Sequence, residues 1–363
     1  MQQTTIGILG GGQLGRMLIQ ASINYDLTIH VLDNDSKAPC RGLCHHFELG
    51  SLQDYETVLR FGQQCDLLTV EIESVNARAL ETLVQQGKKV YPQPHLIHLI
   101  QDKIQQKKFY KKHGIPTSNF IELSGKDDLM QHLDRLPAVQ KLARDGYDGR
   151  GVQILRSEAD LHKAFDAPSL LEDLVDIERE ISVIVARNER GAVKSYPAVE
   201  AVFHPEANLV DYLFTPSKLN KEQEKNAEAI ARMVIERLGL VGILAVEMFL
   251  TKDGQIWVNE IAPRPHNSGH PSIEANQTSQ FEQHLRAILN LPLGSTHLVI
   301  PAVMVNLLGE EGHEGPVYYE GLESVLAIPG IHVHLYGKRQ TKPFRKMGHV
   351  TIIDENEERL LEK

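Results

Sequence analysis

Ala245-Val246-Glu247-Met248-Phe249-Leu250-Thr251-Lys252-Asp253-Gly254-Gln255-Ile256-Trp257-Val258-Asn259-Glu260 alternates apolar and polar residues on both sides of an Asp-Gly pair. That pattern predicts a β-hairpin with Asp253-Gly254 as a two-residue turn. With Lys252 paired to Gln255, the register sets Glu247 directly across from Glu260. Two carboxylates facing each other on one sheet face repel. A divalent cation between them removes the repulsion, and oxygen-only ligands completed by phosphates suit Mg2+ rather than zinc. The competing reading turns both glutamates to water, against flanks as apolar as Ala245, Phe249, Ile256 and Val258.

Upstream, Lys141 lies in an apolar strand and is followed by Gly146-Tyr147-Asp148-Gly149-Arg150-Gly151. Three glycines in six residues predict a mobile loop whose amides can fold over phosphates. Read alone, the same stretch also fits an ordinary hairpin loop. Lys141 and Lys103 are cations suitably placed for the same phosphates. No Walker A pattern occurs, so the chain is not a P-loop protein. Glu172 to Val175 follow a strand and can offer backbone groups to an adenine, and Glu180 can take ribose hydroxyls.

A second glycine cluster, Gly10-Gly11-Gly12-Gln13-Leu14-Gly15, joins a strand to a helix, with Asp33 ending the next strand. This is the dinucleotide fingerprint, a loop that lets amides and a helix N-terminus approach an anion. It leaves a nicotinamide dehydrogenase open and does not name the anion. The better-equipped phosphate site downstream argues against that reading.

Around these motifs, Thr5–Leu9, Leu27–Leu32, Leu67–Val70 and Lys89–Tyr91 are strands separated by helices, which implies a parallel, doubly wound α/β sheet. Gln101 to His113 reads as a helix closed by Gly114. Short strands follow: Ala138–Leu142, Val152–Leu155, Ile181–Ala186 and Val193–Phe203. Next comes an amphipathic helix with Ala227, Ile230, Ala231, Val234, Ile235 and Leu238 on one face. From about Ile300 the chain is Gly-, Pro- and His-rich with short strands. Three regions result: 1–98, 99–298 and 299–363.

The 363 residues, 42% hydrophobic and 24% charged, describe a globular protein of more than one domain. A net charge of -10 argues against nucleic acid or an anionic membrane as partner. Neither a leader nor a membrane span is read, and three cysteines make no disulfide framework, so a cytoplasmic enzyme is expected. Cys40-Arg41-Gly42-Leu43-Cys44-His45-His46 is read as a loop without a metal, because adjacent histidines cannot easily both turn inward to a tetrahedron.

Taken together, Lys103, Lys141, the loop Gly146 to Gly151, Glu172-Asp173-Leu174-Val175, Glu180, Glu247 and Asn259-Glu260 resemble an ATP-grasp nucleotide site. Adding Gly10 to Gly15, the run Asn259-Glu260-Ile261-Ala262-Pro263-Arg264-Pro265-His266-Asn267-Ser268-Gly269-His270 and Arg345-Lys346-Met347-Gly348-His349, nearly the whole chain resembles the 5-(carboxyamino)imidazole ribonucleotide synthetases of purine biosynthesis. That resemblance implies a Rossmann-like domain over 1–98, an ATP-grasp domain over 99–298 with a lid at about 115–183, and a small β-rich domain over 299–363. It implies the substrates ATP, bicarbonate and 5-aminoimidazole ribonucleotide, with carboxyphosphate as intermediate and the exocyclic amine capturing its carboxyl group or the carbon dioxide released from it. A homodimer that passes its product to a downstream mutase is implied as well.

The resemblance also assigns roles. Lys103 and Lys141 hold ATP phosphates beneath the lid residues Gly146, Tyr147, Asp148, Gly149, Arg150, Gly151 and Val152. Glu172, Asp173, Leu174 and Val175 take the adenine and Glu180 the ribose, with His204 close by and Asn259 and Glu260 at the phosphates. Glu247 and Glu260 bind Mg2+. Arg264, His266 and Asn267 cradle bicarbonate and its phosphorylated form. Tyr147, Asp148 and Arg150 close over the reacting amine, with Asp148 accepting a proton. Lys338 and Arg345 take the ribonucleotide phosphate, helped by Gln13, Leu14 and Glu73. Two positions depart from the family pattern, which carries arginine at 103 and glutamine at 152.

The chemistry agrees with that allocation. Carboxyphosphate is short-lived in water, so solvent must be excluded while it exists. Five basic residues between Lys338 and Lys346 stand against an acidic background, as a phosphate site requires; a solvated strand or a nucleic-acid patch is the alternative. The histidines of His266 to His270 can also be ordinary loop residues. Rival activities are a formate-using glycinamide ribonucleotide transformylase, a biotin carboxylase, the dehydrogenase, and a non-catalytic nucleotide sensor.

Overall fold

The computed structural model describes residues 3–144, 146, 151–203 and 210–360. Thr5–Leu9 (β1), Thr28–Asp33 (β2), His46–Leu49 (β3), Leu67–Val70 (β4) and Lys89–Val90 (β5) form a sheet in the order β3-β2-β1-β4-β5. Every neighbouring pair is parallel, as the alternation of strands and helices predicts. The order reverses beside β1, so the carboxyl ends of β1 and β4 open the crevice where ligands of such sheets bind. Gly10–Gly15 and Glu71–Glu73 lie there. The edge strand β3 is not expected from the sequence. Its side chains are exposed or half-buried, so no buried alternation marks it, and it takes His46 out of the predicted loop to pair with His30.

Phe120–Leu123 (β6), Ala138–Leu142 (β7), Val152–Leu155 (β8) and Ser169–Asp173 (β9) build an antiparallel sheet ordered β6-β9-β7-β8. A larger sheet follows, from Ile177–Arg187 (β10), Val193–Ser195 (β11), Val199–Phe203 (β12), Val210–Thr215 (β13), Gly242–Thr251 (β14), Ile256–Ala262 (β15) and Ala302–Leu308 (β16). Gly315–Pro316 (β17) pairs with Gln340–Thr341 (β19) on its own, while Ile331–Leu335 (β18) and Lys346–Ile353 (β20) join the large sheet. Among the described residues that sheet runs β15-β14-β10-β12-β13-β16-β20-β18, with β11 also on β10. It is continuous across residue 299, because β13 pairs with β16. The single strand expected over Val193–Phe203 is two. Pro197 supplies no N–H to a ladder, and the chain breaks there between β11 and β12.

Lys221–Leu238 is helical because Asn220 and Gln223 cap each other's backbone and Gly239 takes the left-handed C-cap at φ 63°. All six apolar residues predicted for its inner face are buried. They pack on Ile181, Val183 and Val185 of β10, on β14, and on Ile256 and Val258 of β15. Each large side chain contributes about 1.5–3 kcal/mol before its entropy cost, so the hairpin carrying the acids rests on a rigid base. The helix expected from Gln101 begins instead at Lys103. Asp102 accepts hydrogen bonds from the N–H groups of Ile104 and Gln105, which fixes the first turn, and Pro94–Ile100 forms a separate helix. Among the described residues no helix is long and apolar enough to cross a membrane.

Candidate functional site

The predicted two-residue turn is incorrect. Thr251 N donates to Gln255 O at 2.9 Å, so Lys252-Asp253-Gly254 form a three-residue loop with Gly254 at φ 81°. The longer loop moves the register by one, pairing Leu250 with Ile256 and Met248 with Val258. The ladder then slips again between Met248 and Glu247, leaving Asn259 as a bulge and setting Glu247 opposite Glu260 after all. The bulge brings the consecutive side chains of Asn259 and Glu260 into one pocket, which an evenly alternating strand would not do.

Lys103, Gln106, Lys107 and Tyr110 line that pocket from the helix Lys103–His113, at i, i+3, i+4 and i+7 on one face. Lys103 Nζ bonds Glu260 Oε1. Lys141 Nζ reaches Asn259 Oδ1 at 2.8 Å and Glu172 Oε2 at 3.3 Å. Lys107 Nζ meets the same Glu172 oxygen at 3.0 Å, and Ser118 Oγ donates to it at 2.7 Å. Burial works to raise the Glu172 carboxyl, yet Lys141 and Lys107 hold it below the usual range. Burial pushes the Lys107 ammonium down to about 8 against the pull of Glu172. Three lysines from two elements thus converge where the anionic chain of a nucleotide can lie.

Glu247 feels the charges of Glu260, Glu180 and Lys103, and Glu180 that of Lys141. Burial, then the charges of Glu260 and Glu180, push the Glu247 carboxyl up to about 7. Burial does the same to Glu180, opposed by Lys141. Two acids held together against their own repulsion, with oxygen donors only, fit Mg2+. Among the described residues no group of three or more His, Cys, Asp or Glu side chains is arranged as a metal site. A cation held by Glu247 and Glu260 would therefore complete its shell from phosphate and water oxygens.

Beyond β15 the chain turns through Arg264, His266 and Asn267. Arg264 Nε pairs with Glu73 Oε1 at 2.9 Å, which joins this loop to the carboxyl end of the N-terminal sheet. His266 Nε2 lies 3.3 Å from Glu247 Oε1. Burial, then the charges of Arg264 and Lys346, hold the His266 ring well below its usual pKa. Asn267 Nδ2 is buried with no hydrogen-bond partner among the described residues, a donor suited to an oxyanion.

The N-terminal glycine loop is filled by the protein itself. Gly11 N donates to Asp33 Oδ2 at 2.6 Å, Gly12 N to Glu71 Oε2 at 2.6 Å, and Leu14 N to Glu71 Oε1 at 3.0 Å. The anions at these amides are therefore side chains from the ends of β2 and β4, and a Cβ on Gly12 would stand 2.5 Å from Glu71. This removes the pyrophosphate cradle a nicotinamide cofactor needs. Lys338 Nζ donates to Lys346 O at 2.6 Å and Arg345 Nη1 to Gln340 O at 2.8 Å. A cavity of about 230 Å³ between β18 and the helix Gln13–Ser22 is lined by Arg16, Gln20, His334 and Tyr336.

Of the remaining expected residues, Tyr147, Asp148, Gly149, Arg150 and His204 lie outside the described residues. Gly151 accepts from Leu142 N at 2.8 Å and stands at φ 80°. Asp173 is tied to Arg135 and Asn119, and Leu174 and Val175 follow it on the way to β10.

Three family models match this chain: a ribonucleotide synthetase preATP-grasp domain over residues 3–101, an ATP-grasp domain over 108–281, and a phosphoribosylaminoimidazole carboxylase C-terminal domain over 302–363. The N5-carboxyaminoimidazole ribonucleotide synthase of Synechococcus elongatus is 39% identical over 96% of this chain and 89% of its own. The chain belongs to the N5-carboxyaminoimidazole ribonucleotide synthase family. The N5-carboxyaminoimidazole ribonucleotide synthetase of Thermotoga maritima superposes with a TM-score of 0.91 at 43% identity, covering 99% of this chain and 96% of that one. The Aspergillus clavatus synthase, solved with ADP and 5-aminoimidazole ribonucleotide, gives 0.89 at 33% identity, covering 99% and 96%.

Sequence reading missed four residues that shape the site in this synthase family member. Gln106, Lys107 and Tyr110 share the helical face of Lys103, and that spacing was the available signal. Glu71 had none, because its partners lie 57 and 59 positions away.

Proposed function

We propose that this chain carboxylates the exocyclic amine of 5-aminoimidazole ribonucleotide at the expense of ATP, forming 5-(carboxyamino)imidazole ribonucleotide, ADP and phosphate. The observation that carries the reading is the Arg264–Glu73 pair. It holds the loop beyond the acidic hairpin against the crevice of the N-terminal sheet, so that a phosphorylated carboxyl and the amine of a ribonucleotide can meet.

Lys103, Lys107 and Lys141 neutralise the phosphates, with cations in place before charge develops on the transferring phosphoryl group. Mg2+ held by Glu247 and Glu260 supplies further neutralisation of that charge when bound. Arg264 and Asn267 hold bicarbonate while one of its oxygens attacks the γ-phosphorus and ADP leaves. The amine nitrogen then bonds the carboxyl carbon, the C–O bond to phosphate breaks, and Asp148 accepts the amine proton. Glu172 to Val175 and Glu180 serve adenine and ribose, and Lys338, Arg345 and Gln13 the ribonucleotide phosphate. The family resemblance supports a cytoplasmic homodimer that hands its product to a mutase.

The test is ADP release with magnesium-ATP and bicarbonate, with and without 5-aminoimidazole ribonucleotide. Turnover raised strongly by the ribonucleotide and abolished in Glu260→Gln is expected. Stimulation by glycinamide ribonucleotide and formate instead would overturn the substrate assignment.

A further inference from the structure

The His266 ring is held at both nitrogens. Nδ1 lies 2.9 Å from Ser268 Oγ and Nε2 lies 3.3 Å from Glu247 Oε1. The Ser268 backbone N–H also donates to Nδ1, at 3.4 Å, and such a bond requires a lone pair there. Nδ1 is therefore bare, and the proton of the neutral ring sits on Nε2.

Ser268 Oγ has one hydrogen, which Nδ1 accepts, so the hydrogen between Ser268 Oγ and Ser182 Oγ, 2.8 Å apart, comes from Ser182. Donation runs one way, from Ser182 through Ser268 to His266 and out toward Glu247. Both serines are buried, at 3% and 5% exposure, with no bulk water to scramble the order. The main chain is clamped as well: Gln280 Oε1 accepts from His266 N at 2.9 Å and Gln280 Nε2 donates to His266 O at 2.7 Å. Gln280 is fully buried. Ring and backbone are thus fixed by separate groups, and on the Nδ1 side the shorter of the two donors is the Ser268 hydroxyl, itself backed by Ser182.

We propose that Ser268, backed by Ser182, is a positioning residue that locks His266 as an Nε2–H donor facing the acidic cleft. In that state the imidazole can donate a hydrogen bond to an oxygen of bicarbonate or of its phosphorylated form, and its Nε2 cannot act as a base. This rests on the carboxylation reading above, whereas the tautomer itself can be measured without turnover.

The experiment uses full-length protein labelled with 15N-histidine, with His266→Asn assigning the resonances. The wild type is expected to show an unprotonated Nδ1 and a protonated Nε2. In Ser268→Ala only the longer main-chain bond still holds Nδ1 bare, so the two nitrogens are expected to shift part-way toward a mixture, with kcat down about tenfold and KM for ATP and ribonucleotide nearly unchanged, the loss of one hydrogen bond. Ser268→Thr keeps the hydroxyl and is expected to restore both readouts. If Ser268→Ala does not fold, Ser182→Ala reports the same shift in weaker form. A protonated Nδ1 in the wild type, or a Ser268→Ala protein with wild-type shifts and kcat, overturns the proposal. A wild type that ignores the ribonucleotide but shows the expected nitrogen shifts overturns the functional reading and leaves the lock standing.

Discussion

Glu247 stands opposite Glu260 because Asn259 is bulged between Val258 and Glu260. With the three-residue turn and an even ladder, Asn259 would take that place and Glu260 would face away. The bulge also gives Lys141 its acceptor, Asn259 Oδ1. One extra residue therefore sets the spacing of acids and the nearest cation together.

The facing acids oppose stability and serve function. The Glu247 carboxyl is raised from an ordinary 4.5 to about 7, so its favourable contribution is complete below the lower value and is lost as pH rises through the upper one. Glu247→Gln is therefore expected to melt higher than the wild type above neutral pH without magnesium, an advantage that fades in acid. Its turnover is expected to fall on the order of a hundredfold or more. Calorimetry and ADP release check the two parts, and a variant that melts lower at high pH would contradict the first.

Lys107 works in the opposite sense. Its pKa is lowered from 10.5 to about 8, so between those values the unfolded chain binds more protons and stability rises with pH. Lys107→Met removes this slope. The wild type is expected to gain on the variant, by on the order of 3 kcal/mol across the whole window. Urea midpoints at about pH 7.5 and about pH 10.5 measure it. Parallel behaviour of the two proteins would show that the ammonium is not disfavoured by burial.

Glu71→Ala strips the acceptor from the amides of Gly12 and Leu14. Each unsatisfied donor costs about 1–3 kcal/mol, and the exposed helix N-terminus becomes an anion site. The variant is expected to be destabilised and partly restored by sulfate or phosphate, while the wild type gains less. Thermal melts with and without the anion test this; equal gains in both proteins would count against it.

Gly269 is required by Gln280, not by its own backbone angle. A Cβ there would stand 2.3 Å from Gln280 Oε1, inside the clamp on His266. Gly269→Ala is expected to cost about 1–3 kcal/mol and to lower kcat, because the amide must leave its place. Normal stability with normal turnover would show that the clamp is dispensable.

Elements whose signals are local were legible in order of residues alone. The predicted bounds of β1, β4, β7 and β8 match those observed, and the buried face of Lys221–Leu238 follows from its 3.6-residue period. The edge strand β3 was not legible, since its pairing with β2 lends it order that its own residues do not announce. The turn at Lys252–Gly254 misled for a related reason. Asp-Gly favours a two-residue loop, yet Thr251 and Gln255 close a longer one.

For the site, the amino-acid order by itself determined which residues carry charge, which helical face they share, and that two acids lie on adjoining strands. Those are properties of neighbours along the chain. Tertiary structure alone decided that Glu172 neutralises Lys107 and Lys141, that Glu71 occupies the glycine loop, and that Arg264 meets Glu73. These contacts join residues 31 or more positions apart. Such partners are chosen by which strands lie side by side and which helix and loop pack on them, where burial makes an unpaired charge costly and so selects the pairing, and no spacing in the sequence records that choice.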